Sequence, residues 1–129
     1  MRILFLNDLD DPRIGSSIRQ MYQQAARLRE LGHEVGSHTV THGSDDSKRP
    51  DAEVRAEYLN SKQIIRQNVP GAQSVCMAYP SGKGKDNIAA ECYIACRGVV
   101  GGPNPANAAN YMRTKSLAVS RDSVDMLLT

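Results

Sequence analysis

Short apolar runs alternate with longer amphipathic stretches along this chain. The runs predict buried strands at residues 2–7, 34–37, 73–79, 95–100 and 114–119. The longer stretches have helical spacing and predict helices at residues 15–31, 52–68, 87–93 and 123–128. Strands that alternate with helices are typical of a parallel sheet with crossover helices, so the sequence predicts an α/β fold.

The first two predicted helices each carry one apolar face. In the first helix, Gly32 supplies the C-terminal stop, and the apolar stripe consists of Ile18, Met21, Tyr22, Ala25 and Leu28. In the second helix, Asp51 is the predicted N-cap, and the packing face consists of Val54, Tyr58, Leu59, Ile64 and Ile65. We expect the charged residues of the second helix to form its solvated face.

Composition places the chain among ordinary soluble domains. It has 129 residues, of which 40% are apolar and 23% charged, enough for one domain with a modest core. The net charge of +2 is too small to favour nucleic acid or an anionic membrane surface. The apolar run at residues 1–6 is too short for a signal peptide or a membrane span, which predicts a cytoplasmic location for the chain as written and leaves export open.

The three cysteines, Cys76, Cys92 and Cys96, are odd in number and lack the CxxC spacing. This pattern argues against a disulfide framework and against a structural zinc knuckle. We assign the cysteines no chemistry.

His38 and His42 are the strongest candidates for chemistry. Two histidines four residues apart lie on one face if the segment is helical, and their imidazoles can then reach one metal ion. Imidazole suits zinc and other late first-row divalent metals. Asp45 and Asp46 follow in a polar loop, where either could supply a carboxylate ligand, although a solvated loop is the simpler interpretation.

An acidic turn at residues 7–12 follows the first predicted strand and contains Asp10 and Asp11. The carboxyl ends of parallel strands are where active sites collect in open α/β folds and barrels. Asn, Asp and Pro also dominate ordinary turns, so composition leaves both interpretations open.

Three segments resemble motifs of the NodB-type polysaccharide deacetylases, carbohydrate esterase family 4. GHEVGSHTVTH at residues 32–42 resembles the second family motif, MAYPSG at 77–82 resembles the third, and YIACRGV at 93–99 resembles the helix-to-strand passage that follows. The resemblance spans roughly residues 30–120. It implies one domain over residues 1–129 with an incomplete NodB-like (β/α) barrel, in which residues 32–129 are the deacetylase-like part.

The resemblance also implies a reaction, the zinc-dependent hydrolysis of N-acetyl groups on amino-sugar polysaccharides. Asp10 is then the general base, and the backbone N–H of Ser81 stabilises the oxyanion. The metal ligands implied by the family motifs are Asp11, His38 and His42. The residues implied to shape the substrate pocket are Tyr79, Pro80 and Gly82.

The sequence departs from the family pattern at several functional positions. Ala78 replaces the arginine that begins the third motif, and no glycine follows the Asp10–Asp11 pair. The chain has no tryptophan, and no histidine follows His42 to protonate the leaving amine. General acid catalysis contributes about 10²–10⁴ in rate, so the resemblance implies an impaired deacetylase.

Two other functions remain open from the sequence. Residues 1–31 also resemble the first βα unit of nucleotide-sugar glycosyltransferases, in which a phrase like LGHEV at residues 31–35 recurs after the first helix. This implies a sugar-nucleotide-binding fragment, because a strand, a turn and a helix N-terminus can hold phosphate. The missing general acid favours a second alternative, a carbohydrate-binding pseudo-enzyme without catalytic activity.

Overall fold

The computed structural model describes residues 3–6, 15–105 and 110–116, with side chains for residues 19–105 and 110–115. The strands are β1 (Ile3–Leu6), β2 (Glu34–Ser37), β3 (Cys76–Ala78), β4 (Ala95–Gly101) and β5 (Thr114–Ser116). The α-helices are α1 (Gly15–Glu30), α2 (Asp51–Asn68) and α3 (Asp86–Cys92). Single 3₁₀ turns cover Asp46–Lys48, Pro80–Gly82 and Tyr111–Arg113.

The five strands form one parallel sheet in the order β1-β2-β3-β4-β5. Helices α1, α2 and α3 are the crossovers between the first four strands, as a parallel ladder requires. This confirms the predicted α/β fold. Within the part of the chain that the structure describes, β1 and β5 are the edges of an open sheet, in agreement with an incomplete barrel.

Two hydrophobic clusters join the helices to the sheet. One cluster lies beneath α1 and the C-terminal half of α2, and its buried members are Ala25, Val35, Ile65, Val69 and Ala72. The other lies between α2, α3 and the central strands, and its buried members are Val54, Tyr58, Met77, Tyr79, Ile88, Ala89, Tyr93 and Cys96. The predicted stripe of α1 is confirmed at Met21, Tyr22 and Ala25, and Gly32 has the positive φ of +91° that favours glycine after a helix.

Three predictions about α2 and β3 are wrong. Asp51 is the first residue of α2 rather than its N-cap, and its carboxylate accepts a hydrogen bond from the Lys85 ammonium. Leu59 is 41% exposed and lies outside the packing face. The third strand begins at Cys76 instead of residue 73, because Ser74 has a φ of +50° and is not extended.

Other predictions fall partly or wholly outside the described residues. The fifth strand is described only to Ser116, and the turn at residues 7–12 and the helix at residues 123–128 are not described. None of the described helices combines the length and the apolar composition that crossing a bilayer requires.

A buried chain of hydroxyl groups links β2, α2 and the end of α3. The Tyr93 hydroxyl donates to the carbonyl oxygen of Tyr58 at 2.6 Å and lies 3.1 Å from Ser61 Oγ, which in turn contacts Ser37 Oγ. Burial raises the pKa of Tyr93 to about 12, so its hydroxyl stays protonated and remains a donor at neutral pH.

Replacing Tyr93 with phenylalanine should therefore lower the free energy of unfolding by about 1–2 kcal/mol, because the Tyr58 carbonyl loses one of its two buried hydroxyl donors and keeps only the bond from Ser61 Oγ. Urea unfolding measures the loss. The matched control is Tyr111→Phe, since Tyr111 is 62% exposed and should lose almost nothing. Equal losses in both variants would contradict a stabilising role for the buried hydroxyl chain.

Candidate active site

The sheet register brings the described site residues, those that follow β2 and β3, to one edge. Ser37 pairs with Met77, so His38 follows at the carboxyl end of β2, beside the end of β3. Ala78 of β3 pairs with Arg97 of β4, which is partly buried. Ala78 occupies the position at which the third family motif has an arginine, so this chain carries its arginine on the neighbouring strand. The carboxyl ends of β2, β3 and β4 therefore share one edge, where parallel sheets usually bind ligands.

The imidazoles of His38 and His42 lie together at this edge. Their ring centroids are 4.7 Å apart, and the ring planes meet at 66°. The segment between them is a loop and not a helical turn, since Thr39 has a φ of +66° and His42 a φ of +55°. The two rings therefore lie close together without a helical turn between them, and their role as metal ligands stays a prediction.

A backbone contact fixes the orientation of His38. Its Nδ1 lies 2.8 Å from the carbonyl oxygen of Ala78 and, because a carbonyl only accepts, Nδ1 is the donor. Histidine ligands of metals are typically held through one ring nitrogen and bind through the other. Two converging imidazoles with this support fit a late first-row divalent metal.

A complete ligand set is not found within the described part of the chain, where no group of three or more His, Cys, Asp or Glu side chains could hold a metal. Asp10 and Asp11 lie outside the described residues, so their roles as base and ligand stay predictions. The described site thus contains two of the three predicted ligands, His38 and His42.

The two acidic residues after His42 have other partners. Asp45 accepts hydrogen bonds from the hydroxyl and the backbone N–H of Ser47, and these bonds hold the pKa of its carboxyl below the ordinary value. Asp46 is 1% exposed and forms an ion pair with Arg49 at 3.0 Å. Burial raises the pKa of Asp46, and the Arg49 bond opposes this rise. The interpretation of this loop as solvated is therefore wrong for Asp46.

The turn after β3 has unusual backbone angles. Ser81 has a φ of +54° and a ψ of +20°, and Gly82 has a φ of +70°. An added Cβ at Gly82 would lie 2.5 Å from Val99 Cγ2, so glycine is required there by both conformation and space. The role of the Ser81 N–H and the substrate contacts of Pro80 and Gly82 stay predictions.

Tyr79 belongs to the core rather than to the surface of this turn. Its side chain is 1% exposed, and the Arg113 guanidinium lies 4.4 Å from its ring centroid. Burial raises the pKa of its hydroxyl well above the ordinary value. The structure gives the Tyr79 side chain a packing role, and its predicted contact with substrate stays a prediction.

Arg113, which directly precedes β5, forms hydrogen bonds with the segment that follows β3. Its guanidinium donates to the Asp86 carboxylate at 2.7 Å, to the Gly84 carbonyl at 3.0 Å and to the Gly82 carbonyl. Sequence reasoning missed this residue, since nothing in the local pattern around position 113 indicates contacts about thirty residues away.

Glu57 is a second residue that sequence reasoning missed. It is 9% exposed and accepts hydrogen bonds from the backbone of the loop between the two histidines. The expectation of a solvated charged face on α2 is therefore wrong at this position. A signal was present, because Glu57 lies three residues after Val54 and four before Ser61, on the packing face of the helix.

Comparison with known proteins decides the family. A family model described as polysaccharide deacetylase matches residues 13–93, more than half of the chain. The chain belongs to the polysaccharide deacetylase family. The matched range includes α1, the site loop and the turn after β3.

Solved structures support the deacetylase fold. The Streptococcus pyogenes deacetylase PplD in complex with acetate has a TM-score of 0.73 at 21% identity, over 83% of this chain and 48% of that one. A de-N-acetylase from Aggregatibacter actinomycetemcomitans has a TM-score of 0.62 at 13% identity, over 81% and 52% of the two chains. At these identities the likeness establishes the fold alone, and the chain spans about half the length of these proteins.

A curated relative is more similar in sequence. A protein named gellan lyase from Bacillus sp is 46% identical over 99 residues, which are 77% of this chain but 4% of that protein. The similarity therefore concerns one small segment of a far longer relative.

Proposed function

We propose that this deacetylase-family chain hydrolyses N-acetyl groups on amino-sugar polysaccharides with a divalent metal, zinc being the best fit. The observation that carries the proposal is the convergence of His38 and His42 at the carboxyl edge of the sheet, with His38 held by the Ala78 carbonyl. Zinc sites that catalyse hydrolysis typically use three protein ligands and leave one position for water. Asp11 is the third ligand in this proposal.

Each residue has a defined task in the proposed reaction. A divalent metal at the site supplies Lewis-acid activation of water and of the amide carbonyl. Asp10 removes a proton from the attacking water, and the backbone N–H of Ser81 donates to the developing oxyanion. Such a donor is typically worth about 3 kcal/mol in the transition state. The proton that Asp10 takes from water is then delivered to the leaving nitrogen, so the products are acetate and a free amine on the sugar.

Two facts bear on substrate and rate. The PplD deacetylase was solved in complex with acetate, and acetate is the product expected here. No histidine follows His42, and the chain contains no tryptophan, so no residue of the given sequence matches the family's late acid motif. For these 129 residues on their own we therefore propose slow turnover, with a deficit of about 10²–10⁴ relative to a family member that has its acid.

The test is acetate release from N-acetylated chitin oligosaccharides by chelator-treated protein, before and after addition of zinc. We expect slow release that requires zinc and is lost in His42→Ala. Release that is unchanged by the chelator or by His42→Ala would contradict the proposal.

Measurements of zinc binding and thermal stability on the same protein distinguish the two alternative functions. Zinc binding without acetate release would support a pseudo-enzyme. Thermal stabilisation by a sugar nucleotide, without zinc binding, would support the glycosyltransferase-like function.

A further inference from the structure

We propose that Glu57 is the positioning residue that fixes the distance between the two imidazoles of the site. The inference rests on the proposed function, because it assigns Glu57 a role in forming the metal site. Glu57 lies on α2, whereas His38 and His42 belong to the loop after β2. The contact therefore joins the loop to a separate rigid element.

Both oxygens of the Glu57 carboxylate hold the segment between the histidines. Oε2 accepts from the backbone N–H of Val40 at 3.0 Å and from that of Thr41 at 3.0 Å. Oε1 accepts from the Thr41 hydroxyl at 2.9 Å. Val40 and Thr41 are two of the three residues that separate His38 from His42, so this single carboxylate fixes most of the connecting backbone.

The loop needs such an external constraint because its conformation is unfavourable. Thr39 is β-branched and has a φ of +66°, and His42 has a φ of +55°. Residues held in such regions cost about 1–3 kcal/mol each and persist only where their surroundings impose the conformation. Contacts inside the loop contribute, since the His42 N–H donates to Thr39 Oγ1 at 3.1 Å. The His38 ring is held by the Ala78 carbonyl of β3, and Glu57 supplies the contacts from α2 to the backbone between the two histidines.

The burial of Glu57 makes these contacts strong. A buried carboxylate is costly unless it is hydrogen-bonded, and bonds to an ionised acceptor are roughly twice as strong as neutral ones. Arg49 Nη1 lies 3.9 Å from Glu57 Oε1 and 3.0 Å from the Asp46 carboxylate, so positive charge is also close by. Because both oxygens of Glu57 are engaged with the loop, the residue positions the imidazoles and does not itself bind metal or substrate.

The test measures the dissociation constant for zinc, by competition with a chromophoric chelator, under conditions where every variant is folded. Glu57→Ala should weaken zinc binding about 10- to 100-fold, the usual effect of removing a group that supports metal ligands. Glu57→Gln should lose less, because the amide oxygen can still accept from the Val40 and Thr41 N–H groups. The matched control is Glu53→Ala, since Glu53 lies one turn earlier on α2 and contacts Arg49 but not the loop.

Amide hydrogen exchange in the zinc-free protein provides an independent readout. The Val40 and Thr41 N–H groups should exchange faster in Glu57→Ala than in wild type, while Glu53→Ala leaves them unchanged. If Glu57→Ala does not fold, Thr41→Val removes the hydroxyl contact alone and should weaken zinc binding several-fold.

Equal zinc affinity in wild type and in the Glu57 variants would overturn this inference and leave the metal site intact. Absence of zinc binding by the wild-type chain would overturn the metal site, and this inference with it. A selective loss in Glu57→Ala, with partial recovery in Glu57→Gln, would support both.

Discussion

Replacing Gly84 with alanine is expected to lower the free energy of unfolding by about 3 kcal/mol, the upper end of the usual range for overpacking a core. An added Cβ would lie 2.6 Å from the Tyr58 hydroxyl oxygen and closer still to Tyr79 Cδ1. Neither group can move easily. Tyr79 is confined by the Arg113 guanidinium, and the Tyr58 hydroxyl accepts a hydrogen bond from the Lys85 N–H at 3.2 Å.

Urea unfolding measures this loss, and Gly98→Ala is the matched control. Gly98 is buried in β4, yet an added Cβ there meets no atom closer than 3.8 Å. We expect the control to be neutral or slightly stabilising, because alanine loses less conformational entropy on folding than glycine. Similar losses in both variants would mean that steric contact with the tyrosine rings does not explain the requirement at Gly84.

Replacing His38 with alanine is expected to weaken zinc binding by at least about 100-fold. The reason is that His38 is a proposed direct ligand, and even groups that merely support a ligand typically contribute 10- to 100-fold. The variant also removes the hydrogen bond between the His38 ring and the Ala78 carbonyl. In addition, His42 loses the imidazole that lies next to its own ring. Zinc per chain after dialysis, together with a competition titration, measures the effect.

His33→Ala is the control for this experiment. His33 precedes β2 and therefore lies at the amino end of the strand, whereas His38 follows its carboxyl end. We expect the control to bind zinc as wild type does. Loss of zinc in His33→Ala, or retention in His38→Ala, would place the metal elsewhere.

Much of the fold follows from local sequence, because its signals act within a few residues. Strand β2 has the predicted bounds of 34–37, since Gly32 ends the preceding helix by a conformation that other residues avoid. The start of β3 was less predictable. Ser74 turns the chain with a positive φ, and nothing in its residue type indicates that tertiary packing will impose this conformation.

The site was predictable to the extent that its residues are neighbours in sequence. The family-like motif identified His38 and His42, but the positive φ of Thr39 replaced the helical turn that would have joined them. Glu57 and Arg113 were missed for another reason, since their partners lie 16 to 31 residues away. A single sequence does not report such distant pairings.

The carbonyl that orients His38 belongs to the backbone of β3, so the side chain at this position can change within the family without loss of the contact. No particular side chain at position 78 is needed for that hydrogen bond, so replacing a bulky residue there with alanine leaves the imidazole held. What encodes the geometry is the alignment of β2 with β3, in which Ser37 faces Met77. A one-residue slip would present the opposite face of the strand and turn the imidazole away from its acceptor.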